Sequence, residues 1–256
     1  MIKYRVFDIE TVPLPSDQID KLCPAFDPET VKTGNLGEEK AKAKIEKLRE
    51  EHFIRFYRRA ALSAVTGQIA MIGIKGAEVE LILDGDEKTM IKEWLKLLDT
   101  DGSIHWIGFN CASFDIPFII RRAWFHGLKP DLYGIVRGRY LSGFFTDLMK
   151  LWTLSENGEL FPVSLGALAQ YFGLGEKLFP DVEFHELLRY KPEQARAYLS
   201  NDLKLTWEIA ERMGCMKLPA AAAPVSPVQP AHGKMFDKSL PRIPVPTPAA
   251  SEIVFY

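Results

Sequence analysis

The sequence contains few of the residues and segments that mark several large classes of protein. Its 256 residues include only 3 cysteines, which are far apart and form no CxxC pair: Cys23, Cys111 and Cys215. An odd number of dispersed cysteines disfavours both a disulfide framework and a zinc site, and it fits a reducing compartment. We therefore expect a cytoplasmic protein.

A strong net charge and a long apolar run are also missing from the sequence. The formal net charge is −2, so no global positive field draws the chain to nucleic acid or to an acidic membrane. The chain runs directly into the charged residues 2–6 without a signal-peptide core, and no apolar run is long enough to span a bilayer. We expect no membrane partner. This net charge is still compatible with an enzyme that binds the end of a nucleic acid locally through metal ions.

The order of hydrophobic patterns predicts an α/β fold, with a mixed sheet flanked by helices. Alternating or continuous apolar segments predict strands at residues 2–10, 68–75, 78–84, 103–109 and 143–148. Apolar residues at helical spacing predict helices at residues 38–61, 86–98, 116–126, 164–172 and 193–213. The segment between the first strand and the first helix is rich in Pro, Asp and Gly, which predicts a loop.

Three arginines lie near the end of the first predicted helix: Arg55, Arg58 and Arg59. One interpretation is a solvated helix end, because the helix macrodipole favours cations near its C-terminus. The other is a patch that contacts phosphate groups. The sequence leaves both open.

The composition changes after Leu218, where prolines recur among Ala, Val and Ser. Such a segment cannot build a packed core, so we expect a folded domain at residues 1–217 and a flexible tail at residues 218–256. The tail ends in four apolar residues, 253–256. They form either an ordinary chain end or a short docking motif for a protein partner.

The first predicted strand carries two acids one residue apart, Asp8 and Glu10. Because side chains alternate faces along a strand, both carboxylates project from the same side. Two acids held together on a rigid face repel each other unless a positive charge lies between them, and a divalent metal ion is the simplest such charge.

Three further sites carry polar residues at positions typical of ligands. Asn110 and Asp115 lie at a strand-to-helix junction, and Asp147 lies at the end of the last predicted strand. Tyr198 and Asp202 are four residues apart in a helix and share one face. Each site alone also has a plain structural interpretation. The junction with Asn110 and Asp115 would be a capped helix start, and Asp147 would be a carboxylate that satisfies backbone N–H groups. Tyr198 and Asp202 would lie on an ordinary half-exposed helix surface.

Taken in this order, the motifs resemble those of the DEDD 3′-5′ exonucleases, in the branch with Tyr in the last motif. The closest likeness is to the proofreading exonuclease domain of family B DNA polymerases and to stand-alone bacterial proteins related to it. The resemblance covers about residues 2–213, with supporting similarities at residues 66–69, 146–149 and 164–169. The other branch has His five residues before the last Asp, where this chain has Ala197.

The resemblance implies a ribonuclease H-like fold, with a mixed five-stranded sheet flanked by helices. Relative to a minimal domain of this kind, the charged helix at residues 38–61 is an insertion, and the Pro-rich tail has no counterpart. It also implies two divalent ions, Mg²⁺ or Mn²⁺, held by four acids: Asp8, Glu10, Asp115 and Asp202. In this scheme Tyr198 orients the attacking water.

The resemblance further implies which residues meet the substrate, a nucleic-acid 3′ end. Asn110 and Phe114 would position the terminal nucleotide, Ile9 and Thr11 would line its site, and Asp147 would be an auxiliary residue. Single-stranded DNA is the favoured substrate. Trimming of RNA 3′ ends stays open, because contact to the 2′-hydroxyl would decide it. An inactive nuclease scaffold that binds partners is the remaining alternative, and the sequence does not separate proofreading, repair and RNA processing.

Overall fold

The computed structural model describes residues 3–99, 104–137, 140–141, 143–154, 163–179 and 184–216. The predicted tail at residues 218–256, including its apolar end, lies outside the described residues. The division into a domain and a tail therefore stays a prediction.

The strands of the described residues are β1 (Lys3–Pro13), β2 (Gly67–Lys75), β3 (Glu80–Asp84), β4 (Ile104–Gly108), β5 (Val136–Arg137), β6 (Tyr140–Leu141) and β7 (Phe145–Asp147). Five of them form one sheet, with the strand order β3-β2-β1-β4-β7. Strands β2 and β3 continue from β1 as antiparallel neighbours, whereas β4 is parallel to β1 and β7 is parallel to β4. Strands β5 and β6 form a separate two-stranded ribbon. The predicted mixed five-stranded sheet is confirmed.

Helices flank this sheet, as predicted. They are α1 (Ser16–Ile19), α2 (Glu38–Ala60), α3 (Glu87–Asp99), α4 (Asp115–Phe125), α5 (Leu132–Ile135), α6 (Leu148–Thr153), α7 (Leu165–Phe172), α8 (Phe184–Tyr190) and α9 (Pro192–Arg212). Among the described residues, none of the helices combines the length and the hydropathy that crossing a bilayer would require.

The structure differs from the predicted elements in several places. Strand β1 continues to Pro13, past a register shift between Glu10 and Thr11, because β2 supplies hydrogen-bonding partners as far as Gly67. The predicted loop after β1 also contains α1 and two short 3₁₀ turns. Helices α5, α6 and α8 and strands β5 and β6 were not predicted, since such short segments show no clear hydrophobic period.

The two faces of β1 pack against different helices. Phe7 and Ile9 point into the core with Trp94 of α3 and with α4. Val6 points to the other face, into the core formed with Leu199 and other residues of α9. Because side chains alternate along a strand, the residues that follow Val6 at every second position lie on the α9 face. This alternation is the reason why the acids of β1 are directed towards α9.

Helix α9 approaches the sheet closely at Gly73 of β2. Gly73 is the cross-strand partner of Asp8. A Cβ atom at this glycine would lie 2.7 Å from Cδ1 of Leu203 and 2.9 Å from Cγ of Leu199. The two leucines are completely buried, so only a residue without a side chain fits beneath them. The missing side chain therefore sets the distance between α9 and the strand pair that carries Asp8.

Helix α9 also contacts the edge strand β3 through polar side chains. Arg196 forms a salt bridge with Asp84, and the Ser200 hydroxyl donates a hydrogen bond to Glu80. Glu80 and Asp84 are the first and last residues of β3. The helix is therefore linked to both ends of this edge strand.

We predict that Gly73→Ala lowers the free energy of unfolding by about 1–3 kcal/mol, because the added methyl group overpacks against the two buried leucines. Urea denaturation followed by circular dichroism measures the change. Gly76→Ala is the matched control, since a Cβ there would meet its nearest atom at an ordinary 3.6 Å. Equal midpoints for the two variants would contradict the prediction.

Candidate metal centre

Three carboxylates meet between β1 and α9. Asp8, Glu10 and Asp202 each offer one carboxylate oxygen, and these oxygens lie within 4.8 Å of one another. Asp202 is buried, and its Oδ1 atom has no hydrogen-bond partner among the described residues. A buried, unpartnered carboxylate oxygen costs free energy unless a cation binds it. The three residues could therefore hold a metal ion.

Asp115 lies against this cluster without being part of it. It is the first residue of α4, it is buried, and its Oδ1 accepts a hydrogen bond of 3.0 Å from the backbone N–H of Ile9. Its carboxyl group also lies within hydrogen-bonding distance of the Asp8 carboxyl. Because Ile9 lies between Asp8 and Glu10, this bond fixes α4 relative to both strand acids.

Burial raises the pKa values of these four acids, and repulsion by their neighbours in the cluster raises those of Asp8 and Glu10 further. Burial, and after it the charges of the other three acids, raises the pKa of Asp8 well above its usual range. Burial and then the charge of Asp202 raise the pKa of Glu10 to about 8. Burial raises the pKa of Asp115 to about 7 and also raises that of Asp202. The cluster therefore resists carrying its full negative charge without a cation.

Lys177 supplies the positive charge that the described residues place at this cluster. Its Nζ atom lies 2.7 Å from Oδ2 of Asp202. Burial opposes the charged ammonium, but the negative charge of Asp202 and a hydrogen bond from the ammonium to that carboxylate raise the pKa of Lys177 above its usual range. Sequence reasoning missed this residue, because it lies in the irregular segment between α7 and α8 and belongs to no periodic pattern or motif.

Tyr198 lies one helical turn before Asp202 on the same face of α9. Its ring packs against Phe184 of α8, with 5.8 Å between the ring centroids, and Nζ of Lys177 lies 4.6 Å from the ring centroid. Burial, followed by the charge of Glu10, raises the pKa of Tyr198 to about 12. The hydroxyl is therefore protonated at neutral pH and can donate a hydrogen bond.

Asp147 holds the loop that carries Asn110. Its buried carboxylate accepts four backbone hydrogen bonds: from Asn110 at 3.0 Å, Ala112 at 2.9 Å, Met149 at 3.0 Å and Lys150 at 3.4 Å. Two of these donors belong to the first turn of α6, so Asp147 is the N-cap of that helix. The other two fix the loop before α4. The contacts of Asp147 therefore match the interpretation of a carboxylate that satisfies backbone N–H groups. They also position the loop that carries Asn110.

Asn110 adopts the left-handed backbone conformation, with φ of 59°. Asn tolerates this region better than most residues. Its Oδ1 atom is buried and has no hydrogen-bond partner among the described residues. Phe114, which precedes α4, is half-buried, and its ring lies 5.5 Å from the ring of Phe118.

The structure places the side chains of Ile9 and Thr11 away from the three-carboxylate cluster. Ile9 is buried in the core on the opposite face of β1. The Thr11 hydroxyl donates a hydrogen bond of 2.7 Å to the backbone carbonyl of Ala61, directly after α2. Thr11 therefore links β1 by a hydrogen bond to the end of the predicted insertion, which contains α2. Arg58 and Arg59, in the last turn of α2, are exposed, so both interpretations of the arginines stay open.

We predict that the metal-free protein loses stability as the pH rises from about 5 to 8. The pKa of Glu10 is raised from 4.5 to about 8 and that of Asp115 from 3.8 to about 7. The folded protein therefore binds more protons than the unfolded chain in this window, and the free energy of unfolding must fall with rising pH.

Urea denaturation in EDTA at several pH values measures this slope. Glu10→Gln is the control that isolates the cluster from other titrating groups, and its slope should be flatter. Excess Mn²⁺ should flatten the slope of the original protein. A slope that is equal in the original protein and in Glu10→Gln would contradict the prediction.

We predict that Asp147→Asn lowers the free energy of unfolding by about 1–3 kcal/mol, because the amide group faces backbone donors that need an acceptor. Asp86→Asn is the matched control: Asp86 also accepts a bond from a backbone N–H at a helix start, that of Thr89, but it is exposed. Its loss should be about 1 kcal/mol or less. Thermal unfolding of both variants measures the difference, and a larger loss for Asp86→Asn would refute it.

Comparison with known proteins bears on the fold. No protein-family model and no curated protein matches the chain. The chain is similar to the family B DNA polymerase from the hyperthermophilic archaeon Pyrobaculum calidifontis, with 17% sequence identity and a TM-score of 0.51. The match covers 83% of this chain and 24% of the polymerase chain. Together with the five-stranded mixed sheet flanked by helices, this likeness confirms the predicted ribonuclease H-like fold.

Proposed function

We propose that the protein is a metal-dependent 3′-5′ exonuclease of the DEDD type with Tyr in the last motif, acting most readily on single-stranded DNA. The observation that carries the proposal is the convergence of Asp8, Glu10 and Asp202 on one point, with Tyr198 one turn away and Asp115 fixed beside them. The fold shared with a DNA polymerase supports a nucleic acid as the substrate.

The donor set suits Mg²⁺ or Mn²⁺. All three converging ligands are carboxylate oxygens, which hard divalent cations prefer, and the described residues of the cluster include no sulfur or imidazole ligand. Asp8, Glu10 and Asp202 would hold one ion, and Asp115 with Asp8 would support a second. When bound, two such ions supply an activated water and neutralise the charge that develops on the phosphate and on the leaving 3′-oxygen.

Tyr198 would orient the attacking water through its hydroxyl. In the metal-free protein, burial and the charge of Glu10 raise the pKa of Tyr198 to about 12, so its hydroxyl is protonated at neutral pH. A protonated hydroxyl one turn from Asp202 can hold a water molecule in line with the scissile bond. This is a positioning role, so its removal should slow the reaction without abolishing metal binding.

Asn110 and Phe114 would position the terminal nucleotide. Asn110 has an amide oxygen whose hydrogen-bonding capacity is unused within the described residues, and the Asp147 carboxylate holds its backbone. The half-buried ring of Phe114 offers a face for contact with a base, and such contacts tolerate any sequence. Both residues lie in the loop that leads to Asp115, so nucleotide and metals would be positioned by one segment.

We predict that the purified protein with Mn²⁺ shortens a 5′-labelled single-stranded DNA oligonucleotide to a ladder of products. Asp8→Ala should lower the rate by about three orders of magnitude, because Asp8 is among the residues that would hold both proposed ions. Tyr198→Phe should lower it about 10- to 100-fold. A matched RNA strand assayed in parallel measures the preference between the two sugars.

Two variants serve as matched controls for this assay. Glu39→Ala removes an exposed acid in the first turn of α2, at the end of the helix remote from Thr11. Tyr171→Phe removes the hydroxyl of a tyrosine on α7 that is 71% exposed. Both should keep full activity. The proposal is wrong if Mn²⁺ yields no shortening of DNA or RNA, or if Asp8→Ala degrades them at the original rate.

A further inference from the structure

Lys177 lies where a divalent cation would need to bind. Its ammonium nitrogen is 2.7 Å from Oδ2 of Asp202, and Asp202 is one of the three residues whose oxygens converge. We propose that Lys177 is a displaceable internal counter-ion, which stabilises the carboxylates of the metal-free protein and leaves Asp202 when a divalent ion binds. The inference rests on the metal site of the proposed function.

Charge competition follows from the geometry of Asp202. Its Oδ2 atom is bonded to the ammonium, whereas its Oδ1 atom has no partner among the described residues. A divalent ion shared by Asp8, Glu10 and Asp202 would lie within a few ångströms of the ammonium. A monovalent and a divalent cation so close together repel strongly in a partly buried site. Both cannot bind Asp202 with full strength, so each weakens the binding of the other.

The ammonium of Lys177 can leave Asp202 by rotation of its side chain. The Asn201 side chain on α9 donates a hydrogen bond of 3.2 Å to the carbonyl of Glu176, the residue before Lys177. The three carbons of the lysine side chain beyond Cβ can rotate while this bond persists.

An open cleft provides room for the displaced ammonium. The cleft has a volume of about 510 Å³, and its lining includes Ser164, Gln170, Glu176 and Tyr198. Glu176 is exposed and lines this cleft, so its carboxylate can attract the released ammonium. The lysine therefore exchanges one acidic neighbour for another and for solvent.

Displacement would also change the surroundings of Tyr198. The ammonium lies 4.6 Å from the centroid of the Tyr198 ring and is hydrogen-bonded to its hydroxyl. When it leaves, the metal ligand Asp202 and the hydroxyl proposed to orient water become available together. Metal loading and exposure of the Tyr198 hydroxyl are thus one event.

We predict that Lys177→Met binds Mn²⁺ about tenfold more tightly than the original protein, because the competing charge is gone. Lys177→Arg keeps a positive charge on a stem of similar length, so its affinity should stay within about threefold of the original. Lys204→Met is the matched control: Lys204 is an exposed lysine on α9 that faces Glu208, and its loss should not change the affinity. Isothermal titration of the full chain with Mn²⁺ measures all four affinities.

Thermal unfolding in EDTA and in Mn²⁺ gives a second readout. Lys177→Met should unfold at a lower temperature than the original protein in EDTA, and Mn²⁺ should reduce or remove this difference. A variant that folds only with Mn²⁺ would also support the inference, since the ion then replaces the ammonium.

The outcomes separate this inference from the proposed function. If the original protein binds Mn²⁺ and Lys177→Met binds it with equal or lower affinity, Lys177 is not a competing counter-ion, and the metal site itself stands. If Lys177→Met changes only the Michaelis constant for the oligonucleotide, the lysine serves the substrate and the inference is likewise overturned. If the original protein does not bind Mn²⁺, the proposed function fails together with it.

Discussion

The close approach of α9 to the sheet at Gly73 is the constraint on which the candidate site depends. Gly73 is paired with Asp8 across the strands, and Leu199 and Leu203 fill the space that a side chain would take. Tyr198 and Asp202 each immediately precede one of these leucines along α9. The same packing contact therefore sets how far the helix residues lie from the strand acids. The geometry of the candidate site therefore depends on apolar packing that contains no functional group.

The sequence was sufficient to predict the parts of the site that follow from periodicity. Alternation along β1 put Asp8 and Glu10 on one face, and the four-residue spacing put Tyr198 and Asp202 on one helix face. These are local rules that hold in almost any fold. The order of the strands and helices was also predictable, because each long element carries its own hydrophobic pattern.

Contacts between distant segments were not predictable in this way. The bond from Ile9 to Asp115 joins residues 106 positions apart, and no pattern in either segment refers to the other. Lys177 is a single lysine in an irregular segment, so its place beside Asp202 follows only from how α7, α8 and α9 pack. In the sequence Gly73 has the context of an ordinary strand glycine. Only the packing of α9 against it explains why no side chain fits there. Tertiary packing supplies this information.

Helix α9 also contacts both ends of the edge strand β3. An uncovered edge strand presents unpaired N–H and C=O groups, to which a strand of another molecule can add. In this fold Arg196 and Ser200 contact the two acids that begin and end β3. Charged side chains on an edge strand disfavour pairing with a strand of another molecule. The helix that carries two of the candidate site residues thereby also positions the charged ends of this edge.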